Sequence, residues 1–282
     1  MSGPDEFALR DVPGPSALGG GWRRALDLLY LIGLNSFKQT YFGTALGYLW
    51  SLARPLLLFS VLVEVFTKVF HIAKVPHYPV FLLLNIVLFG FFQEATTIAV
   101  GSVVAQEAVV RKTQFPRLVI PLAVVLTALL NLLVNLVIVA VFVVAFHVSP
   151  TWTWALFPIL LLPLVVFTIA VSMILSSLYP RYRDIAIIWN VFVTALFYAT
   201  PVLYGVSDLS GHHTLRRLIE INPLAPIFEL ARKWIIQPSA PGPVASAGGY
   251  LELLIPVAVG GLICVAAAWI FNREAPRIAE QL

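Results

Sequence analysis

The chain has 282 residues, 60% of them hydrophobic and only 11% charged, with a mean hydropathy of +0.91. That is too little polar surface to coat a globular fold of this size, so a large soluble domain is excluded and lipid must do much of the covering. The formal net charge of +4 does not signal nucleic acid, because the basic residues gather at the ends of apolar runs rather than in one patch.

Residues 1–21 are rich in Gly, Pro and Ser and read as disordered. No signal peptide is expected, because Asp5, Glu6, Arg10 and Asp11 precede any apolar run. Over 22–45, Trp22, Ala25, Leu26 and Leu29 recur at helical spacing opposite Arg23, Arg24 and Asp27. The apolar piece is too short to span, so this segment reads as a cytoplasmic helix lying in the membrane interface. The transmembrane part occupies 46–282, with spans expected at about 49–70, 80–103, 119–146, 154–178, 185–204 and 251–271. Each reaches the roughly 20 apolar residues that a bilayer requires. The expected fold class is thus an all-α integral membrane protein with about six transmembrane helices.

A short basic connector, 105–117, joins the second and third spans, and a long segment, 205–250, joins the fifth and last. In that segment Ile227, Leu230, Ala231, Trp234 and Ile235 follow helical spacing, with Asn222 as the cap and Glu229, Arg232 and Lys233 opposite. A second amphipathic piece runs from His213 to Ile221. Both are too short to cross and too apolar to float free, so short re-entrant or surface-lying outer helices are expected before the last span. Cys264 is the single cysteine and falls inside the last span, which rules out a disulfide within the chain.

Orientation follows from the basic residues near span ends. Of the 18 Lys and Arg, twelve, among them Arg54, Arg111, Lys112, Arg117, Arg181 and Arg183, fall on one side, and only Lys68 and Lys74 in short loops on the other. The remaining four, Arg216, Arg217, Arg232 and Lys233, lie in the long 205–250 segment, where the rule carries little weight. Both termini and the 105–117 connector are therefore expected in the cytoplasm, with 205–250 outside; the lean to Arg, Ala and Val points weakly to a bacterial inner (plasma) membrane.

Polar residues inside a membrane are expensive and each needs a reason. Thr127, Asn131 and Asn135 fall at i, i+4, i+8 on one face of the third span, and Asn190, Thr194, Phe197 and Tyr198 repeat the arrangement on the fifth. A sugar chain crossing a membrane needs hydrogen-bonding partners and flat aromatic faces, and the two stripes offer both as a channel lining. The alternative is hydrogen bonding between helices, at roughly 0.6 kcal/mol per contact. Glu64 and Glu94 are the deep acids, separated by roughly 10 Å in depth, so they do not form a matched pair. Glu94 reads either as a proton-coupling group or as a structural carboxylate bonded to a neighbouring helix near Arg54.

The chain contains no phosphate-binding glycine loop, metal-ligand cluster or catalytic triad. It is expected to have no catalytic residue, no metal and no nucleotide site of its own. His212 and His213 are adjacent, lack a nearby Cys and do not form a metal site.

Five segments in order resemble the permease subunit of ABC-2 type polysaccharide exporters, the family that moves O-antigen, teichoic acid and related lipid-linked glycans. They are Lys38 and Tyr41 with LGYLWSLARPLL from Leu46, VRKTQFPRLVIPLAVVLTALLN from Val110, YPRYRDI from Tyr179, TPVLY from Thr200, and INPLAPIFELAR from Ile221. One departure is Tyr182 where the family commonly has phenylalanine before Arg183 and Asp184. FGTALGYLWSLARPLL from Phe42, with a composition that leans to Arg, Ala and Val, is most similar to actinobacterial exporters of a galactan precursor, with O-antigen-type glycans next.

The resemblance implies a homodimeric permease with two cytoplasmic ATP-binding cassette subunits, which would carry the ATP and Mg, exporting a lipid-linked polysaccharide. It implies that Glu107, Arg111, Lys112 and Phe115 couple the chain to the ATPase, that the lipid-diphosphate enters near Arg54, Arg181 and Arg183, and that Asn222, Pro223, Glu229 and Trp234 belong to an outer gate. The rival classes are a proton-coupled secondary transporter using Glu94, for which no internal repeat is visible, and a non-transporting scaffold, which leaves the polar stripes without a purpose.

Overall fold

The computed structural model describes residues 21–41, 49–69, 77–106, 117–206, 219 and 221–281, with side chains described for all of these except 21–24, 40, 41, 49 and 275–281. Among them all regular structure is helical. In chain order these are α1 (Gly21–Tyr41), α2 (Leu49–Glu64) continued by a π-helical turn (Val65–Val69), α3 (Tyr78–Ala105), and α4 (Val119–Ala145). A 3-10 turn (Trp152–Leu156) leads into α5 (Phe157–Leu178), followed by α6 (Ile185–Ala199) and α7 (Ala225–Ala231) with a second π-helical turn (Arg232–Ile236). The chain closes with α8 (Pro243–Ala247) and α9 (Tyr250–Gln281).

Among the described residues, four helical stretches are long and apolar enough to cross a membrane: Tyr78–Ala105, Val119–Ala145, Trp152–Leu178 and Tyr250–Glu274. α2, with 16 residues, and α6, with 15, are shorter. About six expected spans therefore correspond to four helices of full spanning length, one shorter apolar helix, α6, and α2, which carries Arg54 and Glu64 and is continued by the π-helical turn. α6 ends at Ala199 rather than near 204 because Pro201 disfavours helical geometry at the residue before it. Thr200 accordingly stands extended at φ −95°, ψ 144°.

α3 is the centre of the bundle. Its most apolar window is 72% buried, against 11% for that of α9, because α3 packs on α2, α4, α5 and α6 at once while α9 rests mainly on α5. A helix apolar all round and enclosed by neighbours belongs in the middle. Phe81, Phe89 and Phe92 are fully buried there, and Phe92 stacks on Phe167 of α5 at 5.8 Å between ring centroids. α1 lies against α4, where a Cβ on Gly33 would stand 2.8 Å from Leu126 Cδ2. Gly33 is what lets the two backbones approach, and Thr127 Oγ1 uses that approach to donate to the Gly33 carbonyl at 3.1 Å.

The α7–α8 segment docks on the same end of the bundle as the start of α5. Thr151 and Thr153 both donate to the Trp234 carbonyl, at 3.2 and 2.6 Å, and Trp154 Nε1 donates to the Ile235 carbonyl at 3.1 Å. The carbonyls left over by the π-helical turn thus find their donors in the 3-10 turn, as buried backbone groups require. The expected second amphipathic piece, His213–Ile221, lies outside the described residues apart from Ile219 and Ile221.

Candidate functional site

One cavity of about 110 Å³ gathers polar side chains from three helices at membrane depth. α2 supplies Ser51 and Arg54, α3 supplies Gln93 and Glu94, α4 supplies Asn135, and Phe197 of α6 closes it. Asn131 Nδ2 donates to Glu94 Oε1, Asn135 Nδ2 donates to the Asn131 carbonyl at 2.9 Å, and Arg54 borders the same cavity. The carboxyl group at membrane depth is thus satisfied by a partner on a neighbouring helix. The volume is well below the roughly 300 Å³ at which ligand pockets begin, so within one chain this is a polar wall rather than an enclosed binding site.

The two predicted stripes have different surroundings. On α4, Asn131 is 3% exposed, and Thr127 donates to Gly33 of α1 and to the Ala123 carbonyl. On α6, Asn190 and Thr194 are exposed, Thr194 donates only within its own helix to the Asn190 carbonyl at 2.8 Å, and Tyr198 is 60% exposed. Phe197 sits between the two environments, edge-on to Phe89 of α3 at 5.2 Å and to Tyr198 at 5.2 Å. The opposite edge of α6 is pinned to the core, where Trp189 Nε1 donates to Thr96 Oγ1 of α3 at 3.1 Å.

Of the three arginines expected at the lipid-diphosphate entrance, only Arg54 borders the cavity. Arg181 and Arg183 are in the exposed turn between α5 and α6, stacked on Tyr182 at 5.2 Å and on Tyr179 at 5.1 Å. Glu107, Arg111, Lys112 and Phe115 lie outside the described residues. Glu64, the other deep acid, pairs with Lys68 one turn on at 2.5 Å, with both side chains exposed.

The four residues expected at an outer gate share one segment. Asn222 is buried; its Oδ1 accepts from the Leu224 N–H at 3.0 Å and its Nδ2 donates to Thr200 Oγ1 at 2.8 Å. Glu229 is buried, and Pro223 and Trp234 border an apolar cleft against α5 and α9. The anchors of this region on α3 escaped the sequence reading. Asn85, fully buried, donates from Nδ2 to the carbonyls of Pro201 and Val202 at 3.2 and 3.3 Å, and Tyr78 Oη donates to the Leu203 carbonyl at 3.0 Å. The signal was present: a single Asn in an apolar span must find an acceptor, and the helix break at Pro201 frees carbonyls.

Residues 27–236 match the family model described as ABC-2 type transporter. The chain belongs to the ABC-2 type transporter family. Relatives of this ABC-2 chain include two proteins of Klebsiella pneumoniae named O-antigen export system permease protein RfbA. They are 31% and 30% identical over 258 residues, covering 91% of this chain and 95% of theirs. A Myxococcus xanthus protein of the same name is 27% identical over 255 residues, covering 90% of this chain and 95% of its own. The ABC-2 chain is accordingly a multi-pass membrane protein, and its family match covers the polar cavity, both stripes and residues 221–236.

Proposed function

We propose that this chain is the transmembrane subunit of an ATP-driven exporter that moves a lipid-linked cell-envelope polysaccharide, a galactan precursor or an O-antigen-like glycan, from the cytoplasm to the outer side of the membrane. It works as a homodimer on two ATP-binding cassette subunits, which carry the ATP and Mg, and both of its termini are cytoplasmic. The supporting observation is the unequal treatment of the two polar stripes. The α4 stripe is bonded within the chain, whereas Asn190, Thr194 and Tyr198 of α6 face outward from one copy. Polar groups do not face hydrocarbon without strong cause; a second copy across α2 and α6 gives them a water-filled route, with the Arg54–Glu94–Asn135 cavity as part of its wall. Phe197 and Tyr198 offer aromatic faces that guide a sugar chain without gripping it. Membership of the ABC-2 family favours this over proton coupling at Glu94.

The test is export by a strain carrying the chain with its cognate ATPase subunit. With Phe197→Ala and Tyr198→Ala together, most surface glycan should be lost at unchanged protein level and dimer content, and the corresponding Trp replacements should restore part of it. Normal export by the double Ala variant would contradict the reading. Loss of the dimer instead would assign these rings to packing. The coupling role of Glu107, Arg111 and Phe115 is tested alongside: changed to Ala, they should leave insertion intact and uncouple ATP hydrolysis from export.

A further inference from the structure

On the opposite flank from the polar cavity, α5, the α7–α8 segment and α9 enclose a cleft of about 530 Å³. Ile159 and Pro163 form one wall, Leu253, Val257 and Cys264 the other, and Gly261 leaves the floor open. A Cβ on Gly261 would meet nothing within 4 Å. The rings of Trp234 and Pro243 stand at the α8 end. The lining is apolar, and two of its three walls are α5 and α9, helices long and apolar enough to cross the membrane, so the cleft suits hydrocarbon rather than water. From Leu253 to Cys264 the helix rises about 16 Å, close to half of a bilayer core of roughly 30 Å. The cleft is therefore one leaflet deep.

At the α8 end a cation stands over this slot. Lys233 lies against Gly242, its Nζ 3.0 Å from where a Cβ would be, one residue before Pro243 of the cleft lining. Lys233 makes no ion pair among the described residues. The acids of this end lie elsewhere: Glu229 borders a separate small cavity with Val206 and Ala247, and the Glu252 carboxylate lies against Gly248. An apolar slot one leaflet deep with an ammonium at its mouth has the chemistry of an anionic phospholipid: acyl chain below, phosphate above. We propose that this cleft binds one acyl chain of an anionic phospholipid, with Lys233 on the phosphate, at a site separate from the export route and independent of which face of the membrane is outside.

Cys264, the single thiol, borders the cleft and reports occupancy. The full-length chain in detergent is titrated with phosphatidylglycerol or phosphatidylcholine of the same acyl composition while its reaction with N-ethylmaleimide is timed. At ten times the half-saturating phosphatidylglycerol the reaction should slow about tenfold. Half-saturation should rise about fivefold for phosphatidylcholine, and equally for phosphatidylglycerol with Lys233→Gln. Gly261→Leu, which fills the floor, should retain one lipid fewer by native mass spectrometry. Labelling that stays fast at every lipid level, equal potency of the two headgroups, stronger protection by a polyprenyl phosphate, or undiminished lipid retention by Gly261→Leu would each overturn the assignment.

Discussion

α4 and α6 carry nearly the same pattern of polar residues at helical spacing, yet one stripe is consumed inside the chain and the other is not. Asn131 of α4 bonds Glu94 of α3, and Thr127 reaches Gly33 of α1. Asn190 and Thr194 of α6 stay exposed, while Trp189 on an adjoining face and Phe197 at the edge of the stripe hold the helix to α3. The difference lies in neighbours rather than in composition. α4 is flanked by α1 and α3, so its polar face has partners within the chain; among the described helices α6 packs chiefly on α3. A polar stripe on a membrane helix thus acquires its meaning from which side of the helix is enclosed.

The largest effect that would sharpen this contrast is at Asn131. Asn131→Leu removes the donor to a carboxylate held inside the membrane, and the bundle should lose about 2 kcal/mol of stability, measured by unfolding in mixed detergent micelles. The matched change on α6, Asn190→Leu, should leave the isolated chain within about 0.5 kcal/mol of the parent. Equal losses at the two positions would erase the distinction. Asn85→Leu comes next, at about 1 kcal/mol, with faster amide exchange confined to Val202–Val206 as the carbonyls of the helix break lose their donor. Thr127→Val should have the smallest effect, near 0.6 kcal/mol, because Thr127 makes one bond to α1 and one back to its own helix.

The all-helical membrane class was legible because long apolar runs admit few other solutions, and basic residues mark their ends. The helix at Ala225–Ala231 was readable from the Ile227–Ile235 spacing, since a periodicity is a local feature, but Leu224 rather than the expected Asn222 stands at its N-cap, and Asn222 instead bonds the Leu224 N–H just ahead of the helix. What the sequence did not reveal is pairing across the bundle. Asn85 and Pro201 lie 116 positions apart, and nothing local says that a lone amide in one span holds the broken end of another. The two stripes looked equivalent for the same reason: periodicity identifies a face, and only packing decides what that face meets. Arg54 and Phe197 show the converse, brought to one cavity from distant positions that spacing could not connect.

Water access at the two stripes tests the central claim most directly. In a chain with Cys264→Ala, single Thr194→Cys and Thr127→Cys variants are reconstituted with the ATPase subunit and exposed to a charged, water-soluble maleimide and to an apolar one that partitions into lipid. The account predicts that Thr194→Cys reacts with the charged reagent while Thr127→Cys resists it, because position 194 faces the aqueous route and position 127 is packed between α1 and α4. Reaction of Thr194→Cys with the apolar reagent alone would show α6 turning its polar face to lipid, and would contradict the account.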